Sequence, residues 1–300
     1  MPGFDFAGTV AWAGAESGLK KGDEVFGFTL FGAYSSSILV PSSQIRLKPE
    51  DMSMENAAAL PAVAATALHA VALAGGYPGP LVSSNKGALI HSAAGGVGSM
   101  LVQMCKHLGY SPVVAVVGSR HKIALCKEMG ADFVIDKSSD DLWVEAKKIS
   151  PNGYVAVFDA NGVSTMSDSY DHLCKCGRLI VYGFHSNLPK ISDFLSPWAW
   201  VGMILKIFQM PRFDAMNMTL DSKGVLGFNL SFFADEKALI EMYMAQLIQW
   251  VGKGDLKVAA VTVFPMSDIG RAHELIQSGK SVGKIVCQVE SNETECAKSK

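Results

Sequence analysis

Lys86-Gly-Ala-Leu-Ile-His-Ser-Ala-Ala-Gly-Gly-Val-Gly98 and, further on, Val113-Val-Ala-Val-Val-Gly-Ser-Arg-His-Lys122 decide the architecture. Ala88 to Ile90 is a short apolar run that reads as a buried strand, and Val97 to Leu108 carries apolar residues at helical spacing. The small residues between them therefore lie on a strand-to-helix turn. Ala93, Gly95 and Gly98 permit a tight turn, close approach of backbone to a phosphate and close helix-on-strand packing, with helix N-terminal amides facing the anion. Ala93 stands where the dinucleotide fingerprint has its first glycine, so this turn must accommodate a methyl group.

The second strand, Val113 to Val117, refines the reading. An NAD site places Asp or Glu at its end, roughly 20 residues past the glycines, to accept hydrogen bonds from ribose hydroxyls. Gly118 and Ser119 occupy that place here, followed by Arg120 and Lys122. Cations at a helix start oppose the macrodipole unless an anion neutralises them, and they suit a ribose 2'-phosphate through charge-assisted hydrogen bonds. The expected cofactor is NADPH rather than NADH.

Three hundred residues, 49% hydrophobic and 18% charged, suffice for one large domain or two modest ones, and two are expected. A net charge of -2 without a long basic stripe argues against nucleic acid as a partner and for a small, nearly neutral substrate. The six cysteines are scattered apart from Cys174 and Cys176, whose spacing is too close for the common zinc pattern or a disulfide framework, which points to a reducing compartment. Neither a signal sequence nor an uninterrupted apolar span of membrane length is legible, so the expected location is cytoplasmic. Ala57 to Gly75 is apolar but alanine-rich, with Pro61 and His69, and reads as a core helix. Leu195 to Met210, with Pro197, Trp198, Trp200 and Lys206, is too short to span and reads as a lid, an interface helix or a peripheral anchor.

Along the chain, glycine-broken strands are expected at Phe4 to Trp12, Asp23 to Phe28, Ala33 to Val40 and Gln44 to Lys48, followed by an alanine-rich helix from Glu55 and a turn at Gly75-Gly-Tyr-Pro-Gly-Pro. From Gly87 the pattern alternates, with strands at Ala88 to Ile90, Val113 to Val117, Phe133 to Ile135, Tyr154 to Phe158 and Arg178 to Tyr182, which predicts a parallel sheet covered on both faces. A strand near Val225 to Phe232 and a helix from Asp235 to Gly252 follow. Ala259 to Phe264, the helix Ser267 to Gln277 and the strand Lys284 to Val289 are expected to rejoin the N-terminal β region.

Pro2-Gly-Phe-Asp-Phe-Ala-Gly-Thr-Val10, Lys21-Gly-Asp-Glu-Val, Ala57-Ala-Ala-Leu-Pro61 with Thr66-Ala67, Ala93 to Gly98 and Val282-Gly-Lys284 together resemble the medium-chain dehydrogenase/reductase superfamily in its zinc-free quinone oxidoreductase branch. Ile149-Ser-Pro to Gly153 and Gly227-Phe-Asn-Leu to Phe232 look most like its vesicle amine transport protein-like members. The resemblance implies an α/β protein: a Rossmann-type doubly wound parallel sheet at 67–249 and a smaller GroES-like β domain at 1–66 plus 250–290. The polar composition of 291–300 reads as a disordered tail. Met1-Pro2-Gly3 coincides with an internal strand of the family's first domain, so that domain is expected to be N-terminally truncated.

Residue by residue, the resemblance implies that Thr66 lies near the nicotinamide and that Ser92, Ala93, Gly95, Gly96, Val97 and Gly98 hold pyrophosphate. Ser119 and Lys122, with Arg120 between them, would meet the 2'-phosphate. Asn161 matches a position beside the ribose and the nicotinamide path, Val181, Tyr182, Gly183 and Phe184 a turn near the nicotinamide, and Gly227, Phe228 and Asn229 a strand approaching the carboxamide. Lys284 matches the basic residue that closes the site, whereas Lys137 departs from the aromatic residue or His that often flanks the adenine.

Zinc-dependent relatives carry a His-Glu pair where this chain has Phe4-Asp5, and Phe cannot ligate, so no metal is expected. Hydride transfer without a Lewis acid suits quinones and α,β-unsaturated carbonyls, whose reduction gives a delocalised anion. Tyr34 and Tyr182 are candidate proton donors, with core packing as the competing role, and no catalytic acid is assigned. The expected function is an NADPH-dependent reductase of such acceptors, active as a homodimer through edge pairing of Val225 to Phe232. The alternative is a non-catalytic nucleotide-binding adaptor, vesicle-associated through Trp198 and Trp200.

Overall fold

A computed structural model describes residues 2–75, 87–184, 197–232 and 236–289. The chain packs as two units, 1–62 with 260–300 and 63–259. In the smaller unit β1 (Asp5–Thr9), β2 (Glu24–Phe28) and β3 (Ile45–Leu47) form an antiparallel sheet in that order. Its core residues Val25 and Phe26 are buried. Gly27 is required where the strands crowd, because a Cβ there would lie 3.2 Å from the Phe6 ring and still nearer to the Gln44 carbonyl. Ala33 to Val40, expected as a strand, forms none: Ser35 Oγ donates to the carbonyls of Gly32 (3.0 Å) and Ser37 (2.9 Å), so local side-chain bonds replace a ladder.

The expected single alanine-rich helix is two. α1 (Met54–Ala59) is capped by Ser53, whose side chain accepts from the Asn56 amide at 3.2 Å, and α2 (Pro61–Leu73) begins at Pro61, a residue suited to a helix start and unable to continue α1.

In the larger unit β4 (Ala88–Ile90), β5 (Val113–Val117), β6 (Phe133–Asp136), β7 (Tyr154–Asp159), β8 (Leu173–Val181) and β9 (Gly224–Gly227) make one sheet in the order β6-β5-β4-β7-β8-β9, every pairing parallel. β4, β5 and β7 are buried at every residue, as a sheet covered on both faces requires. The helices that follow α2 in this unit are α3 (Gly96–His107), α4 (Ile123–Glu128), α5 (Leu142–Ile149), α6 (Met166–Asp171), α7 (Pro197–Phe208), α8 (Ala215–Asp221) and α9 (Lys237–Gly252), of which α3, α4, α5, α6 and α8 pack on the strands. The order changes direction at β4, with β5 on one side and β7 on the other, which is where open α/β sheets hold ligands beyond their strand ends.

β9 is shorter than the strand expected over Val225 to Phe232. It stops at Gly227, and Leu230–Phe232 turns as a 3-10 segment whose Ser231 amide donates to Asn229 Oδ1 at 3.0 Å. β10 (Val261–Pro265) and β11 (Lys284–Gln288) return to the smaller unit as a parallel pair beside α10 (Ile269–Gln277). The tail 291–300, Lys86, most of the 75–80 turn and the Trp198 side chain lie outside the described residues.

Candidate dinucleotide site

The phosphate turn starts from its backbone. Ala93 N donates to Val116 O (3.0 Å), tying the turn to β5, and Gly95 N donates to Ser92 O (3.0 Å), with Ser92 in the left-handed region at φ 53°. A Cβ on Gly98 would stand 2.7 Å from Ala93 Cα and 2.9 Å from Ala93 C, so α3 approaches the turn as closely as a residue without a side chain allows. Ala93 itself is 1% exposed, so the turn accommodates its methyl group by burying it. Gly95 is the N-cap of α3 and offers no side-chain acceptor, while the first turn holds no acidic residue. The leading amides, those of Gly96, Val97 and Gly98 among them, have no intrahelical acceptor and present a partial positive charge.

A buried carboxylate braces this turn from behind. Asp159, fully buried at the end of β7, accepts at Oδ1 from Asn161 N (2.7 Å) and Gly162 N (3.2 Å), and at Oδ2 from Thr165 Oγ1 (2.7 Å) and Ser169 Oγ (3.0 Å). Asn161, so held, accepts from Ser92 Oγ at 3.1 Å. Ser169 spends its proton on Asp159, so the 3.0 Å contact with His91 Nε2 needs the proton on that imidazole nitrogen. Burial lowers the His91 pKa, with Asp159 opposing the shift and Lys137 adding to it, which favours the neutral imidazole. Its Nδ1 has no partner among the described residues.

The adenosine corner lies past β5. Ser119 starts a 3-10 turn over Arg120–Lys122, with Lys122 N donating to Ser119 O at 3.1 Å. Lys137, one residue beyond β6, donates its amide to Val117 O (3.0 Å) and runs its Cε to within 3.7 Å of where a Cβ of Gly118 would be. A cationic side chain thus crosses the place where an NAD-type carboxylate would have grown. Lys122 has its pKa lowered, first by burial and further by the Lys137 ammonium, against the influence of Cys126. Asp136 turns instead to Ser138, accepting from its Oγ (2.7 Å) and its amide (3.0 Å). Lys122 and Lys137 are two like charges that an anion would reconcile. Sequence reading missed Lys137 as a charge because it noted only the absent ring.

At the other end, Tyr182 N donates to Asp159 O (3.0 Å) and Phe228 N to Val181 O (3.1 Å), so the ends of β7, β8 and β9 are laced together. Phe228 meets the Tyr182 ring at 6.4 Å and the His69 ring edge-on at 4.6 Å, and His69 Nδ1 is 2.9 Å from Tyr243 Oη. Burial lowers the His69 pKa and raises those of Tyr243 and Tyr182. Thr66 and His69 share a half-exposed face of α2, Gly183 is half-buried, and Gly227, Asn229 and Phe184 are exposed. His69 and Tyr243 were not legible as partners, being 174 residues apart.

Lys284 belongs to the smaller unit, where its Nζ lies 2.8 Å from Asp5 Oδ2 while Asp5 Oδ1 accepts from Ala62 N at 2.7 Å. Tyr34 is there too, edge-on to His273 at 5.9 Å. Replacing Asp5 by Ala leaves both donors without their acceptor, and chemical denaturation is expected to show a loss of about 1–3 kcal/mol; an unchanged midpoint would mean that solvent replaces the carboxylate at no cost.

Residues 96–244 match the family described as zinc-binding dehydrogenase. The human synaptic vesicle membrane protein VAT-1 homolog is 31% identical over 95% of this chain and 70% of its own length. A probable quinone oxidoreductase of Leishmania amazonensis is 29% identical over 96% of this chain and 79% of its own. A mycobacterial structure solved in complex with NADPH superposes with a TM-score of 0.76 at 27% identity, covering 95% of this chain and 81% of that one.

Proposed function

The chain belongs to the medium-chain dehydrogenase/reductase superfamily, and from that premise we propose that it is an NADPH-dependent oxidoreductase reducing quinones or α,β-unsaturated carbonyls. The observation that carries the reading is the basic corner, where Lys137 crosses Gly118 beside Lys122. A bound NADPH would supply the hydride. The α3 amides would hold its pyrophosphate, Ser92 and Asn161 would orient the ribose, and Lys122 and Lys137 would take the 2'-phosphate. The wall of Tyr182, Phe228 and His69 would exclude water from one side of the nicotinamide. Zinc has no part in the proposed reaction, because the Phe4 side chain offers no ligand atom and Asp5 is engaged by Lys284 and Ala62.

Lys122→Glu is expected to weaken NADPH binding by about 1–3 kcal/mol, roughly 5- to 150-fold, and NADH binding far less. The sign of the pH dependence follows from Lys122. Its ammonium is easier to deprotonate than an ordinary lysine, and a bound phosphate stabilises the charged form. NADPH affinity therefore falls as pH rises into the alkaline range, starting below the ordinary lysine value, while NADH affinity stays comparatively flat; titration calorimetry across that range measures both.

A non-catalytic adaptor is the second reading, favoured by the exposed Trp200, Val201, Ile204, Leu205 and Phe208 of α7, although among the described residues no helix is long and apolar enough to cross a membrane. Following NADPH absorbance with a small quinone or enone separates the two. Acceptor-dependent oxidation, faster with NADPH than NADH, supports the reductase; tight NADPH binding without oxidation by either acceptor class leaves the adaptor. Self-association would use the open edge of β9 at Gly224–Gly227.

A further inference from the structure

The cysteine pair that the sequence sets apart lies in a deformation of the sheet. In the β7–β8 ladder Leu173 pairs with Tyr154 and Arg178 with Ala156, so Cys174, Lys175, Cys176 and Gly177 together face Val155 alone. The four residues leave the ladder as a loop. Its bend is tight: a Cβ on Gly177 would stand 2.8 Å from the carbonyl oxygens of both Cys174 and Tyr154. Cys176 adopts the left-handed conformation, φ 62°, a region that side chains other than glycine and asparagine rarely occupy. Such an outlier needs a reason.

Bending matters for the two thiols. In a regular strand, positions i and i+2 stand about 6.6 Å apart, at the outer limit of the roughly 4.4–6.8 Å that a disulfide spans between Cα atoms. The register break takes Cys174 and Cys176 out of that extended geometry. Cys176 is exposed, and Cys174 is buried with its Sγ 3.2 Å from Lys175 O. Burial raises the Cys174 pKa, the Cys176 sulfur adds to the rise, and Lys223 opposes it, so the second thiol and an ammonium lie within electrostatic reach. Lys223 is itself pinned, its Nζ 5.1 Å over the Tyr170 ring and 3.8 Å from Asp221. Among the described cysteines Cys176 is the exposed one; burial pushes Cys126 up to about 11 and Cys105 further, and Cys287 is half-buried.

We propose that Cys174 and Cys176 form a reversible dithiol–disulfide site that reacts with low-molecular-weight disulfides. The Cys176 thiolate attacks one sulfur of the small disulfide, forming a mixed disulfide and expelling one thiolate. Cys174, losing its proton to solvent, then displaces the second thiolate and closes the Cys174–Cys176 bond. The chain gives up two electrons and two protons, and the small disulfide becomes two thiols. The loop lies at the start of β8, away from the nucleotide turns at the strand ends, so this site is independent of the proposed reductase activity.

The test exposes the whole folded chain to glutathione disulfide, blocks remaining thiols with an alkylating agent, unfolds it and cuts after Lys175. Two peptide halves still joined, and parted by dithiothreitol, are the expected result. The Cys174→Ser variant should instead accumulate glutathione on Cys176, and Cys176→Ser should do neither. A glutathione adduct that persists on Cys176 in the unaltered chain, two freely alkylated thiols, or a bond from Cys176 to a different cysteine would each overturn the proposal.

Discussion

Asp159→Ala is expected to destabilise the larger unit by about 3–5 kcal/mol, most of the stability of a marginal domain. Four donors converge on this carboxylate: the amides of Asn161 and Gly162 and the hydroxyls of Thr165 and Ser169. The two hydroxyls can turn elsewhere, but the two amides are fixed by the backbone and would be left buried without acceptors. Asp159→Asn keeps an oxygen for those amides and turns an NH2 toward the hydroxyls, which can rotate to accept, so it should cost about half as much. Denaturant midpoints of the two variants check the order. Nucleotide binding should fall with them, because Ser92 of the phosphate turn bonds to Asn161, which Asp159 holds. A loss under about 1 kcal/mol for Asp159→Ala would mean that the network is not a brace.

The second large effect is Gly98→Ala. One methyl group would stand 2.7 Å from Ala93 Cα, and that backbone cannot retreat without stretching Ala93 N–Val116 O and Gly95 N–Ser92 O. Overpacking of this kind costs about 1–3 kcal/mol, and the relaxed turn no longer aims its amides at one point. NADPH binding should be lost beyond the stability change, as equilibrium dialysis at a temperature where the variant is folded would show. Gly202→Ala is the control: nothing lies within 4 Å of its Cβ, and alanine in a helix is favoured by about 1 kcal/mol. If both variants bind NADPH like the unaltered chain, the steric account of the turn fails.

What was legible in the sequence is what one segment determines by itself. Val113 to Val117 and Tyr154 to Phe158 are continuous apolar runs, as strands inside a covered parallel sheet are. The glycines of the phosphate turn signal close approach regardless of what approaches. Ala33 to Val40 misled because alternation alone cannot weigh Ser35 bonding to its own neighbours against a ladder. β8 began earlier than expected because its Cys174–Gly177 loop interrupts the strand pattern. Lys137 became a site residue only when β6 was paired beside β5, which brings its stem over Gly118. His69 with Tyr243, and Asp5 with Lys284, are meetings of distant segments that no local pattern encodes.

The proposed recognition of a ribose 2'-phosphate by the corner past β5 can be measured without the nicotinamide. Titration calorimetry of the chain with 2'-phospho-ADP-ribose and with ADP-ribose compares ligands that differ only in that phosphate. The prediction is at least about tenfold tighter binding of the phosphorylated ligand, roughly 1.4 kcal/mol or more, with the advantage abolished in a Lys122→Ala, Lys137→Ala double variant. Equal affinities, or a preference for ADP-ribose, would contradict it.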